Sequence, residues 1–115
     1  MSPLAEAVYE LLRSRAALPE PRITYRELAA QLRERSDACA HLTHRSRELY
    51  AALWEVGGEC GQLGLPALPA LVVRAATGRP GEAYYEGSAA RFKGERVAEW
   101  RRELEAVRQA RYPAR

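Results

Sequence analysis

The sequence predicts an α+β fold, mainly helical, in which three helices precede a β-hairpin and a further helix follows it. Three observations predict it. Apolar residues recur at helical spacing in four separate segments. The run Ala70-Leu71-Val72-Val73-Arg74 is β-enriched, and turn-forming Thr77-Gly78-Arg79-Pro80-Gly81 separates it from Ala83-Tyr84-Tyr85. The chain has 115 residues, near the commonest domain size, with no internal repeat or low-complexity tract.

The elements follow in order. Ser2 caps a first helix and Pro3 fits its first turn. Leu4, Ala7, Val8, Leu11 and Leu12 form its apolar stripe. Pro19 and Pro21 end it, because neither can donate to the helix ladder. Arg22-Ile23-Thr24 suits one short strand. Thr24 and Glu27 then make a capping box for a second helix, Tyr25 to about Arg35, with Tyr25, Leu28, Ala29 and Leu32 on one face. Ser36-Asp37 breaks it. A third helix is capped at Thr43 or Ser46, weakened by Gly57-Gly58 and ended at Gly61 or Gly64. Leu42, Leu49, Leu53 and Val56 set its buried stripe, and Trp54 and Trp100 read as core. After the stiff Leu65–Pro69 stretch comes the hairpin, Ala70–Arg74 against Ala83–Tyr85. A last helix runs from Ala89 or Glu95 to about Ala110, with Val97, Trp100, Leu104 and Val107 on one face.

This is the element order of a winged helix-turn-helix with an added C-terminal helix: one domain over 1–115, its core in 3–86 and the last helix in 89–110. In that architecture the third helix enters the major groove and the hairpin wing touches phosphate. The predicted contacts are His44, Arg45, Ser46 and Arg47 around the start of the third helix, and Arg74 and Arg79 at the two ends of the wing turn. Cations at a helix N-terminus oppose its dipole, so Arg45 and Arg47 call for a reason beyond helix stability. Glu48 and Glu55 on the same helix argue the other way, since they repel phosphate.

Charge is unevenly placed. Residues 1–64 carry eight basic and nine acidic groups, and residues 65–115 carry ten and six. Such an excess is compatible with nucleic acid without demanding it. Seventeen of the eighteen basic residues are Arg. Codon bias in a GC-rich bacterial genome accounts for most of them, as the many alanines also suggest. The 47% hydrophobic and 29% charged composition excludes a disordered chain. No apolar run approaches the ~18 residues of a membrane span, and no signal peptide precedes the first helix, so a soluble, cytoplasmic protein is expected.

Catalytic patterns are poor. There is no phosphate loop and no readable Ser-His-Asp set. Glu99, Glu103 and Glu105 read as a solvated helix face. Cys39, His41, His44 and Cys60 form a nominal metal set, but 39, 41 and 44 share no helical face and no CxxC pair exists, so packed or idle thiols are expected. No cofactor and no metal are predicted.

Two motifs carry a family resemblance. Arg22-Ile23-Thr24-Tyr25-Arg26-Glu27-Leu28-Ala29 resembles the strand-to-helix junction of the DNA-binding domain of alkylguanine-DNA alkyltransferases and alkyltransferase-like proteins. Arg47-Glu48-Leu49-Tyr50-Ala51-Ala52-Leu53 resembles that family's recognition helix. The resemblance covers roughly residues 5–85. It implies that Arg47 fills the gap left by an extruded nucleotide and that Tyr25 touches the neighbouring phosphate. The family's Pro-Cys-His-Arg-Val-Val segment is matched by Leu68-Pro69-Ala70-Leu71-Val72-Val73, which places Pro69 at the nucleophile position with no histidine beside it. Alkyl transfer is therefore not expected. The 65–85 block also resembles one in small bacterial proteins, a likeness that implies no function.

The expectation is a non-enzymatic protein binding duplex DNA. A protein–protein interaction module or homodimer on the same fold is the alternative, and an alkyltransferase-like lesion sensor is the third reading. The last needs a cavity behind Arg47 large enough for a flipped base.

Overall fold

The structure, a computed structural model, describes residues 1–87 and 95–114. Five helices and two short strands occur among them: α1 (Pro3–Ala16), β1 (Ile23–Thr24), α2 (Tyr25–Arg35), α3 (Arg47–Gln62), β2 (Val72–Val73), α4 (Glu82–Gly87) and α5 (Arg96–Gln109). The fold is α+β and mainly helical. No helix among the described residues is long and apolar enough to cross a membrane.

Local signals set most boundaries. The Ser2 hydroxyl accepts from Ala5 N at 3.1 Å and starts α1. Thr24 and Glu27 form the reciprocal capping box of α2, with bonds of 3.0 and 3.2 Å. Past α2 the chain makes one 3-10 turn, Asp37–Cys39. Gly57 and Gly58 do not interrupt α3, and neither does Gly61. The helix stops where Gly64 takes φ +70° and Leu65 N bonds back to Cys60 O at 2.9 Å. The core forms where α1 packs on α3 through Val8, Leu11, Leu12, Leu49 and Val56, all essentially buried. Leu42 belongs to this core from the loop before α3, not from the helix itself.

The hairpin prediction is corrected. Leu68–Leu71 form a 3-10 turn, so the strand shrinks to Val72–Val73. Pro69 stands in the first turn, where its fixed φ suits a helix and its missing N–H is not needed. β2 pairs in parallel with β1, Ile23 opposite Val72 and Thr24 opposite Val73. Val72 and Val73 are buried on both faces, the pattern of an internal parallel strand and not of a wing with one wet face. Ala83, Tyr84 and Tyr85 lie in α4. Helical geometry lets the two tyrosine rings meet edge-on, centroids 5.3 Å apart and planes at 78°, whereas a strand would send them to opposite faces.

The predicted turn residues close a loop instead of a hairpin. Arg74 N donates to Arg79 O and Gly78 N to Arg74 O, both at 2.8 Å, with Gly78 at φ +67°. α5 begins at Arg96, near the later of the two predicted starts; the earlier start, Ala89, falls outside the described residues.

α5 packs on the 3-10 turn. The indole of Trp100, buried as expected, donates to Ala70 O at 2.9 Å. Ala67 N donates to Glu103 at 2.7 Å. The chain after α5 is held by two tyrosines: Tyr112 OH donates to Pro66 O at 2.6 Å and Tyr9 OH to Pro113 O at 2.7 Å.

Candidate nucleic-acid interface

α3 has two stripes with different work. Leu49, Ala52, Leu53, Val56 and Cys60 face the core. Positions 47, 50, 54, 57, 58 and 61 repeat at helical spacing on the other side, carrying Arg47, Tyr50, Trp54 and three glycines. Tyr50, Trp54 and the glycines line a cavity of about 320 Å³, closed by Tyr25, by Ala67 and Pro69, and by Ala83 and Tyr84 of α4. The volume lies at the lower end of the range for small-molecule sites, roughly 300–1,000 Å³. Arg47 does not line the cavity; its place is one turn ahead of Tyr50, at the end of the same stripe.

The glycines keep the floor bare. A Cβ at Gly58 or Gly61 would meet nothing within 4 Å, and one at Gly57 would meet only Pro69 Cγ at 3.8 Å. Alanine would therefore fit at all three sites. Each glycine costs an α-helix about 0.8–1 kcal/mol against alanine. Trp54, expected in the core, is 63% exposed at the cavity rim. The positions that follow it on that face, Gly57, Gly58 and Gly61, carry no side chain to cover it.

The capping box fixes Tyr25 as the first residue of α2 and turns its ring inward. The ring lies against Tyr50, and the hydroxyl accepts from Gly81 N at 3.2 Å. Burial raises the Tyr25 pKa, so the group stays a neutral phenol. Tyr50 OH donates to His44 O at 3.0 Å.

The basic groups gather around these tyrosines. Partial burial, followed by the Arg26 and Arg45 guanidiniums, depresses the His44 pKa. Arg74 acts on the Tyr25 hydroxyl, and Arg79 and Arg96 on that of Tyr85. Arg96 also sits 5.3 Å from the Tyr85 ring centroid and pairs with Glu82 at 2.9 Å. Arg74 and Arg79 thus leave the two ends of one closed loop, Arg74 beside Tyr25 and Arg79 beside Tyr85.

The turn before α3 is self-contained. Thr43 N donates to Ser46 Oγ at 2.9 Å and Arg45 N to Thr43 Oγ1 at 3.2 Å. Ser46 is the cap residue of α3 without a side-chain bond to the helix, so its hydroxyl is committed to the turn. Glu48 and Glu55, which argued against a phosphate partner, have their own contacts. Glu48 meets His41 at 2.5 Å and Glu55 accepts from Ser2 N at 2.8 Å.

The structure places Arg74 beside Tyr25 and Arg79 beside Tyr85, and sets Arg26 and Arg45 beside His44, whose carbonyl holds Tyr50. Sequence reasoning missed Tyr50, Trp54, Arg26 and Arg96 in this neighbourhood. The legible signal was the second stripe of α3, where two aromatic positions and then three glycines follow on one helical face.

Among the described residues the cavity walls offer tyrosine hydroxyls but no thiol, imidazole, carboxylate or amine. Cys60 lies on the core side of α3, fully buried, and burial pushes its thiol pKa up. Cys39 is half-buried, and among the described residues no three metal-binding side chains converge. Such a site can bind by stacking and apolar contact.

No known protein family matches the chain, and no curated protein and no solved structure matches it.

Proposed function

We propose that this chain is a non-enzymatic DNA-binding protein that holds one extruded base in the cavity beside α3, as an alkyltransferase-like lesion sensor would. The observation that carries the reading is the aromatic cavity aligned with Arg47 on one face of α3. Base–aromatic stacking contributes about 1–3 kcal/mol per base and tolerates different bases. Tyr50, Trp54 and Tyr84 supply that surface. The α2–α3 pair serves as a helix-turn-helix. The closed loop from Arg74 to Arg79 takes the place of the wing and reaches phosphate.

Pro69 supports binding over chemistry. It stands in the cavity wall at the position the resemblance assigns to the nucleophile, and it has nothing to donate to an alkyl group.

Fluorescence anisotropy with matched duplex DNA and with the same duplex carrying a mismatched or alkylated base tests the reading. Matched duplex binds in the range of non-specific binders, about 10⁻⁴–10⁻⁶ M at physiological salt, and more tightly in low salt. The damaged duplex binds more tightly still, because its base is already cheap to extrude. Absence of any binding at low salt ends the DNA reading and leaves a protein-interaction module.

A further inference from the structure

A second cleft, about 250 Å³ in volume, lies between the C-terminal ends of α1 and α5. Arg13 of α1, Arg108 of α5 and Arg111 beyond it stand around a floor of small residues, Ala16, Ala17 and Ala110. Arg13 is held by Glu10 at 2.7 Å. Arg108 and Arg111 are exposed and enter no hydrogen bond or ion pair among the described residues. Glu20, whose carboxylate feels Arg108, is already engaged by Arg22.

Helix dipoles explain part of this. Cations in the last turn are favourable, and Arg13 and Arg108 both occupy one. Arg111 is outside any helix, so no dipole recruits it. Its backbone is nevertheless fixed, because the flanking Tyr112 and Pro113 are tied to Pro66 O and Tyr9 OH. Terminal segments are ordinarily loose unless tied down. Here the ties hold one wall of the cleft and set Arg111 on its rim.

We propose that this cleft is a docking site for an acidic segment of a partner protein. Two carboxylates of that segment meet Arg108 and Arg111, and an apolar side chain between them rests on the alanine floor. Guanidinium forks favour bidentate carboxylate contacts. The apolar floor favours a peptide over a DNA backbone, which has no side chain to place there. No residue lines both cavities, so the site is independent of the DNA reading.

A short fluorescein-labelled peptide of alternating aspartate and leucine is the probe, with a lysine–leucine peptide as control, titrated against the whole chain by anisotropy. The acidic peptide binds at low salt, the control does not, and Arg108→Glu with Arg111→Glu weakens binding by roughly tenfold or more. The neutral pair Arg108→Gln and Arg111→Gln gives an intermediate loss and guards against misfolding of the reversed variant. Arg101→Glu, on the same helix but outside the cleft, changes the net charge without that loss. Failure of the wild type to bind the acidic peptide, or equal binding by both double variants, overturns the proposal. So does an equal loss of duplex-DNA and peptide affinity in the double variants, which would make the cleft a phosphate contact.

Discussion

The rings of Tyr25 and Tyr50 meet with centroids 5.4 Å apart and planes inclined at 32°. Tyr25 takes the Gly81 amide and Tyr50 gives its proton to the His44 carbonyl. The pair thereby connects the segment after the Arg74–Arg79 loop to the turn that carries His44 and Arg45. Arg74 and the turn that carries His44 and Arg45, far apart in the chain, are thus tied to one pair of neutral aromatic groups.

Filling the bare floor separates stability from binding. Gly58→Ala meets no neighbour within 4 Å, so it strengthens α3 by up to about 1 kcal/mol. The added methyl projects into the cavity and weakens affinity for the damaged duplex more than for the matched one. Urea denaturation and anisotropy read the two effects. Loss of stability, or unchanged discrimination between the duplexes, contradicts the assignment of this floor.

Glu103 positions the cavity wall. Glu103→Ala leaves the part-buried Ala67 amide without its acceptor, a cost of about 1–3 kcal/mol. Glu103→Gln keeps a carbonyl oxygen at the same reach and recovers most of it. Denaturation of both variants, with hydrogen exchange at the Ala67 amide, checks this. Equal loss in the two would mean that charge, not the accepted hydrogen bond, is what matters.

Acid acts on His44 in a defined direction. Its folded-state pKa is depressed from 6.5, so protonation favours the unfolded chain. The stabilisation is complete above pH 6.5 and is lost as pH falls through that value towards the depressed one. Urea midpoints at pH 7.5 and 5.5 should therefore differ less in His44→Gln than in the wild type. The same protonation adds a cation beside Arg26 and Arg45, so duplex binding strengthens on acidification in the wild type only. A variant with unchanged pH dependence would remove His44 from both effects.

Arg47 and Arg79 have different signatures. Arg79→Ala weakens all duplexes about equally and flattens the salt dependence by roughly one charge, as a phosphate contact does. Arg47→Ala weakens the damaged duplex most, because its proposed role is to occupy the vacated stack. Titrations at two salt concentrations compare them. Parallel losses on both duplexes would reduce Arg47 to another phosphate contact.

Incubation with methylated-guanine DNA should leave the intact mass of the protein unchanged. Cys60 is buried with its thiol pKa pushed up, and the cavity wall carries Pro69. A stoichiometric methyl adduct on either cysteine would refute the non-enzymatic reading.

Legibility in the sequence followed the range of the interactions. Ser2, Thr24 with Glu27, and Gly64 act within a few residues of themselves, and the helix boundaries they set were readable. The pairing of Ile23 with Val72 joins segments far apart in the chain and leaves no local trace. A short β-prone run therefore read as half of a hairpin. Ala83-Tyr84-Tyr85 suits either a strand or a helical turn, and tertiary contacts decided for the helix. Trp54 was misplaced for a related reason: a tryptophan beside a buried stripe is ordinarily core, and only the glycines after it leave it open. Of the candidate site, the presence of basic residues was legible. The cavity was not, because Tyr25, α3, the Pro66–Pro69 stretch and α4 each supply only one wall.

The attachment of α5 also sets an order of assembly during synthesis. The carbonyls of Pro66 and Ala70 and the amide of Ala67 wait for Tyr112, Trp100 and Glu103, which are made after them. A nascent chain that has reached α4 still lacks the helix that packs on Leu68–Leu71. That interval exposes a small apolar strip to chaperones and proteases until α5 has emerged.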